Sequence, residues 1–326
     1  DMINFQIRPD KLAEEMADYS RKLGHGIENL IDAGEIDTGV TARTAVYKED
    51  KLVLYRYDHP EGVEASNEVP LLIVYALVNR PYMTDIQEDR STIRGLLDSG
   101  QDVYLIDWGY PDSSDYALTM DDYINGYIDR CVDHICEEHG LDSINILGIC
   151  QGGTFSLCYS SMHQNKVRNL VTMVTPVDFQ TPDNLLSSWV SLTGQKYVNM
   201  VDVLDDPNKV KNFLRMEKWI FDSPDQAGET FRQFIKDFYQ KNALMAGEVE
   251  IGDNVVNLAN ITCPVLNIYA QQDHLVPPDA STPLGGLVGS DDYTELAFPG
   301  GHIGIYVSGR AQKEVTPAIG EWLSKR

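Results

Sequence analysis

Residues Ile144–Thr154 read I-N-I-L-G-I-C-Q-G-G-T, a short apolar run that ends on a cysteine framed by glycines. Such a run fits a strand buried on both faces. When a strand ends in so tight a turn, its central residue takes a strained conformation and points its side chain out above the sheet. Gly148 and Gly152 stand where a Cβ would collide. The pattern is that of a nucleophile elbow, G-x-C-x-G, with sulfur in place of the usual serine oxygen. A helix starting at Gln151 aims the Gln151 backbone N–H at an oxyanion, and its dipole favours a thiolate at Cys150. A lone cysteine in an apolar run is also a common core residue, so the elbow needs partners before it carries a chemistry.

Two partners follow downstream, each just past an apolar strand. Asp273 lies in Y-A-Q-Q-D-H-L-V-P-P, beyond a strand ending at Ala270, where a loop projects its carboxylate over the sheet edge. His302 lies in F-P-G-G-H-I-G, with glycines on both sides that let its ring reach across. Taken singly, Asp273 reads as a loop cap and His302 as a turn histidine. In the order nucleophile, acid, histidine, all at strand ends, they form the triad arrangement of the α/β-hydrolase fold. His274, directly beside Asp273, is a poor bridge to Cys150 and is expected to contact the acid's loop or the substrate. Asp107, at the end of another strand, is the alternative acid. His25, His59, His134, His139 and His163 lack such framing and read as structural or surface residues. The second oxyanion N–H is expected from the loop Leu77-Val78-Asn79-Arg80, in which Val78 and Asn79 are the candidates, and the sequence does not decide which residue donates.

Working outward, residues 8–33 carry helical spacing and end at Gly34, as a packing or partner-binding arm. Strands are expected over 42–47, 51–57, 69–78, 102–107, 143–149, 169–175, 264–270 and 293–298. Helices are expected over 91–99, from a Thr119 cap to Gly140, and over 151–163. A final helix takes Thr316 as its cap and Pro317 in its first turn. Alternating strands and helices make a mostly parallel sheet with helices on both faces. Residues 178–250 break that alternation, being mostly helical and rich in Trp, Phe and Met. They read as a cap inserted into an α/β-hydrolase core made of 1–177 and 251–326.

Composition narrows the class further. The 326 residues are 43% hydrophobic and carry a net charge of −24, from 50 acidic and 26 basic residues. That balance argues against nonspecific nucleic-acid binding. Five cysteines at irregular spacing form neither a disulfide framework nor a zinc pattern, which suits a reducing, cytoplasmic compartment. No apolar run is long enough for a transmembrane segment, and Asp1-Met2-Ile3-Asn4 has no basic and apolar leader. No cofactor or metal site is expected.

Five segments together carry a family resemblance: the elbow G-I-C-Q-G-G, V-N-R-P-Y-M-T-D, L-I-D-W-G-Y-P-D, D-H-L-V-P-P and G-G-H-I-G. Nearly end to end, the chain resembles a polyhydroxyalkanoate synthase, and its short amino-terminal region resembles the catalytic subunit of the class III type. The resemblance implies that Cys150 bears the acyl group, that His302 is the general base, and that Asp273 assists the incoming hydroxyl or orients the histidine. It implies an (R)-3-hydroxyacyl-CoA substrate such as 3-hydroxybutyryl-CoA, a growing polyester chain, a noncatalytic PhaE-type partner subunit, a homodimer and association with polyester granules. The family's cap carries a segment absent here between Val190 and Ser191. Arg80, Arg90, Arg94 and Arg168 are candidates for the coenzyme A phosphates. The chemistry fits the residues independently, because a thiolate exchanges with a thioester at little cost and the enzyme thioester stays reactive towards an alcohol. Two rival readings are a cysteine hydrolase similar to dienelactone hydrolases, or a CoA thioesterase, and a noncatalytic scaffold relative. Chain length, the inserted cap and the wider motif match weigh against the hydrolase; retention of nucleophile, acid and base weighs against the scaffold.

Overall fold

The continuous apolar runs all enter one sheet. The structure, a computed structural model, describes residues 41–77, 81–180, 228–273, 276–302 and 304–326. Its strands are β1 (Arg43–Glu49), β2 (Leu52–Tyr57), β3 (Leu71–Val74), β4 (Asp85–Gln87), β5 (Arg90–Ser91), β6 (Val103–Asp107), β7 (Ile144–Ile149), β8 (Val167–Met173), β9 (Glu250–Ile251), β10 (Asn254–Val255), β11 (Val265–Ala270) and β12 (Tyr293–Phe298). Eight of them form the main sheet in the order β1-β2-β6-β3-β7-β8-β11-β12. β1 and β2 join antiparallel at one side; from β6 to β12 every neighbour is parallel.

Parallel strands are covered on both faces, and the side-chain alternation assigns each face its own core. Leu72, Val74, Ile144 and Ile146 point into one cluster, together with Cys131, Val132 and Ile135 of α2 (Asp129–His139) and Phe155 and Tyr159 of α3 (Gln151–Met162). Leu71, Ile73, Leu147 and Ile149 point into the other, against Ile93, Leu96 and Leu97 of α1 (Thr92–Asp98) and Ala311, Val315, Ile319 and Leu323 of the last helix. At roughly 25 cal/mol per Å² of apolar surface removed from water, these two layers are the main source of stability.

Local signals act as the sequence implies in most places. Ser91 caps α1 by accepting from the Arg94 N–H at 2.9 Å. Thr119 and Asp122 bond reciprocally, 3.2 Å from the Asp122 N–H and 2.8 Å from the Thr119 N–H. The helix they start runs through a wider π-helical stretch, Asp122–Ile128, into α2, and ends at Gly140, whose φ of 62° a Cβ would strain.

Three expectations are corrected. β3 stops at Val74 rather than continuing to 78; Tyr75, Ala76 and Leu77 stay buried but leave the ladder, since the turn of the elbow occupies the space alongside them. The last helix, α5 (Gly309–Ser324), begins at Gly309, not at Thr316: Ser308 is its cap, accepting from the Ala311 N–H at 3.0 Å, and Pro317 lies in its interior. Burial of the stripe Ala311, Val315, Ile319 and Leu323 outweighs the lost N–H of one proline. The short hairpins β4–β5 and β9–β10 were not foreseen, because pairs of two or three residues leave no periodic trace.

The expected arm over 8–33, residue 25 and residues 181–227 of the expected cap lie outside the described residues. Of that cap region, α4 (Gly228–Gln233) and the stretch Phe234–Gln240 are helical. Phe234 and Phe238 stack at 4.9 Å, and Phe234 meets Phe155 of α3 edge-on at 6.0 Å, so this region is packed onto the elbow helix. No helix among the described residues is long and apolar enough to cross a membrane.

Ile73 lies in β3, paired on both sides and fully buried. Ile73→Ala is expected to lower unfolding free energy by about 2–5 kcal/mol, read as a lower urea midpoint; an unchanged midpoint would contradict this placement.

Candidate active site

The site is built on a backbone that only close approach permits. Cys150 follows β7 with φ 53° and ψ −123°, a conformation non-glycine residues rarely hold, at a cost of about 1–3 kcal/mol. Its N–H donates to the Met173 carbonyl at 2.9 Å, and its carbonyl accepts from the Gly153 and Thr154 N–H groups at 2.9 and 3.2 Å. The turn closes because a Cβ on Gly148 would stand 2.6 Å from the Gly153 Cα, and one on Gly152 would stand 2.6 Å from the Tyr75 carbonyl oxygen. Beside Met173, Val174 also has a positive φ, 45°, unusual for a β-branched residue. Strain therefore sits on both sides of the β7–β8 strand ends, held by the sheet beneath it.

The acid and the base come from neighbouring strand ends. The Gln271 N–H donates to the Phe298 carbonyl at 2.8 Å and the Gln272 N–H to the Gly300 carbonyl at 2.9 Å, which stitches the loop after β11 to the loop after β12. Asp273 and His302 are carried on those loops, and His302 Nδ1 lies 2.8 Å from Asp273 Oδ2. The other carboxylate oxygen accepts from the Val276 N–H at 2.9 Å. The Asp273 side chain is fully buried and that of His302 is 11% exposed. Burial alone pushes the His302 ring towards the neutral form. The charge and hydrogen bond of Asp273, followed by the hydrogen bond and charge of Cys150, outweigh it and raise the ring's pKa above the ordinary histidine value. His302 is thus the point where acid and sulfur meet.

Gln151 adds a contact that its position in the elbow motif did not reveal. Its side-chain oxygen accepts from the Leu77 N–H at 2.9 Å, so the first residue of α3 ties the nucleophile turn to the segment after β3. Val78, Asn79, Arg80 and His274 lie outside the described residues. Asp107 is turned to its own loop, accepting from the Gly109 N–H at 3.0 Å, whereas His302 takes Asp273. The other described histidines have structural partners: His59 the Gln101 carbonyl, His134 the Tyr47 ring, His139 the Tyr104 hydroxyl and His163 the Asn125 amide. Of the proposed phosphate-binding cations, Arg90 donates to the Val307 carbonyl at 2.5 Å, Arg94 lies 3.6 Å from Asp98, and Arg168 bonds Ser143 at 3.3 Å. Burial raises the thiol pKa of Cys131, Cys136, Cys158 and Cys263, the last to about 11, consistent with inert packing residues.

With this geometry in view, relatives place the chain. The subunit PhaC of poly(3-hydroxyalkanoate) polymerase from Allochromatium vinosum is 70% identical over the full length of both chains. The chain belongs to this family. The homologous subunit from Thiocystis violacea is 68% identical over 98% of each chain. A family model described as alpha/beta hydrolase fold matches residues 69–202 and 187–308. Among solved structures, the enol-lactonase from Burkholderia xenovorans LB400 superposes with a TM-score of 0.53 at 16% identity, covering 87% of this chain and 100% of that one, a likeness of fold. The fold is thus α/β-hydrolase, as expected from the order Cys150, Asp273, His302.

The raised His302 pKa has a sign that can be tested. Its stabilising contribution is fully present below the unfolded value of 6.5 and is lost as pH rises through the higher folded value. Urea unfolding at successive pH values should give a stability that falls with pH above neutrality, and Asp273→Asn should flatten that slope. An equal slope in the variant would remove Asp273 as the cause.

Proposed function

We propose that this chain is the catalytic subunit of a class III poly(3-hydroxyalkanoate) polymerase, an acyltransferase that builds polyester from (R)-3-hydroxyacyl-CoA through a thioester on Cys150. The observation that carries the reading is the conjunction of 70% identity over the whole chain with a strained Cys150 served by the Asp273–His302 pair.

The steps follow from the groups in place. His302, held by Asp273, takes the Cys150 proton, and the thiolate attacks the thioester carbonyl of the substrate. The carbonyl oxygen becomes an oxyanion before the N–H groups at the start of α3. CoA leaves with the proton from His302, and the acyl group rests on Cys150 as a new thioester. His302 then removes the proton from the 3-hydroxyl of the next unit, whose oxygen attacks the Cys150 thioester carbonyl and lengthens the chain. Coenzyme A thioester is the substrate, and no resident cofactor takes part.

Sulfur suits this cycle because exchange between two thioesters is nearly balanced, while the ester formed at the end is more stable. Water must be excluded, and the aromatic packing of Phe234 and Phe238 over α3 supports a cap in the region 178–250. The match to the Allochromatium subunit extends over 355 positions against the 326 residues of this chain, so the relative carries residues with no counterpart here. The two family-model matches meet between 187 and 202, in keeping with an interruption near 190. The same reading implies a noncatalytic PhaE-type partner, a homodimer, and a cytoplasmic protein at polyester granules.

Incubation of the protein with 3-hydroxybutyryl-CoA, with and without the noncatalytic subunit, should release CoA and deposit insoluble polyester. Brief exposure should leave a hydroxyacyl mass on Cys150, and Cys150→Ala should abolish both products. CoA release that yields only free hydroxy acid would make the protein a hydrolase, and turnover by the alanine variant would remove Cys150 as nucleophile.

A further inference from the structure

Directly after His302, the helical turn Gly304–Val307 brings Tyr306 against the histidine ring, with centroids 6.2 Å apart and planes at 69°. Tyr306 is 1% exposed and belongs to the same apolar cluster as Tyr75; Cys150 packs on that cluster. Its ring is satisfied by that packing, but its hydroxyl oxygen is buried without a hydrogen-bond partner. Buried polar groups in this state are rare, and each calls for a physical account. Burial, reinforced by Tyr75, Cys150 and Asp273, pushes the phenol pKa well above its ordinary value, so the group remains a neutral donor.

The nearby acceptors narrow what it can serve. Both Asp273 oxygens are already engaged, one by the Val276 N–H at 2.9 Å and the other by His302 Nδ1 at 2.8 Å. His302 offers its remaining nitrogen to the sulfur side of the site, where Cys150 is its second side-chain partner. Cys150, which packs on the cluster that holds Tyr306 and acts on its phenol through charge, is the group whose charge changes during the proposed cycle.

We propose that the Tyr306 hydroxyl is a catalytic hydrogen-bond donor to the Cys150 sulfur whenever that sulfur is negative. This occurs in the free thiolate and again at each transfer. As the oxygen of the incoming hydroxyl bonds to the acyl carbon and its proton passes to His302, the carbon–sulfur bond breaks and the electron pair returns to sulfur. The phenol keeps its proton throughout. A hydrogen bond to a charged acceptor is about twice as strong as one to a neutral acceptor, so the gain is concentrated where charge develops. In the intact thioester the sulfur is a weak acceptor, and the hydroxyl waits with little to hold it.

The proposal rests on Cys150 as the acyl-carrying nucleophile, but its test needs no substrate. Tyr306→Phe removes the oxygen and keeps the ring. Alkylation of the full chain by iodoacetamide, followed at the Cys150 peptide by mass spectrometry across pH, should show a midpoint about one pH unit higher in the variant and a rate about tenfold lower at neutral pH. Thermal melting, followed at a pH where Cys150 is a thiol, should be unchanged or slightly higher, because the hydroxyl then bonds nothing. An identical alkylation profile overturns the proposal. A variant that melts lower with the same profile, or that fails to fold, assigns the hydroxyl a structural role and overturns it as well. Should the wild type release no CoA from hydroxyacyl-CoA while the alkylation shift is present, the polymerase reading fails and the role of Tyr306 stands.

Discussion

Three backbones meet at a distance that only glycine allows, and the site depends on that meeting. Gly148 at the end of β7, Gly152 and Gly153 at the start of α3, and the carbonyls of Val74 and Tyr75 after β3 leave no room for a Cβ. The approach folds the chain back on itself within a few residues and forces Cys150 to a φ of 53°. About 1–3 kcal/mol of strain there is small beside the apolar area buried on both faces of the sheet. The parallel ladders of β7 with β3 and β8 hold the strands rigid up to Gly148 and Ile149. A strained residue is therefore confined to the one place where the sheet ends and its side chain can project.

The second constraint is electrostatic. A strongly acidic chain disposes of many carboxylates on its surface, where solvent screens them, but Asp273 is fully buried and its charge acts at close range. Desolvation opposes the charged imidazole, and the neighbouring carboxylate overcomes it. The result is a ring that binds a proton more tightly than a free imidazole does. The loop-to-loop bonds between Gln271 and Phe298 and between Gln272 and Gly300 convert this charge contact into fixed geometry, since both partners ride on one stitched edge.

Much of this was legible in the sequence, for physical reasons that differ by element. β6, β7, β11 and β12 were placed within a residue because strands covered on both faces read as unbroken apolar runs. The order and strand-end position of Cys150, Asp273 and His302 were visible because glycines and turn residues punctuate each loop. β3 was drawn too long, since Tyr75, Ala76 and Leu77 are as buried as a strand but are not paired as one. α5 was started too late because Pro317 resembles a helix start when the stripe from Ala311 onward is ignored. The Gln151–Leu77 bond spans 74 positions and has no local signature. Tyr306 reads as one more apolar residue after the histidine; only the fold shows that its hydroxyl is left unbonded.

The remaining cysteines differ from Cys150 in what surrounds the sulfur. Cys131, Cys136 and Cys158 sit on the faces of α2 and α3 turned into the core, and Cys263 lies just before β11. Desolvation acts on each and outweighs the cations near two of them, Arg130 for Cys131 and Lys166 for Cys136, so each is held as a neutral thiol. Cys150 differs in having a positive partner within the same buried site, the raised His302, and a helix beginning at the next residue. Cys150 and Cys263 are both half-buried, so the surroundings of the sulfur are what set Cys150 apart from Cys263. In the cycle proposed for Cys150, the donor role proposed for Tyr306 extends the same principle from forming the thiolate to releasing the acyl chain.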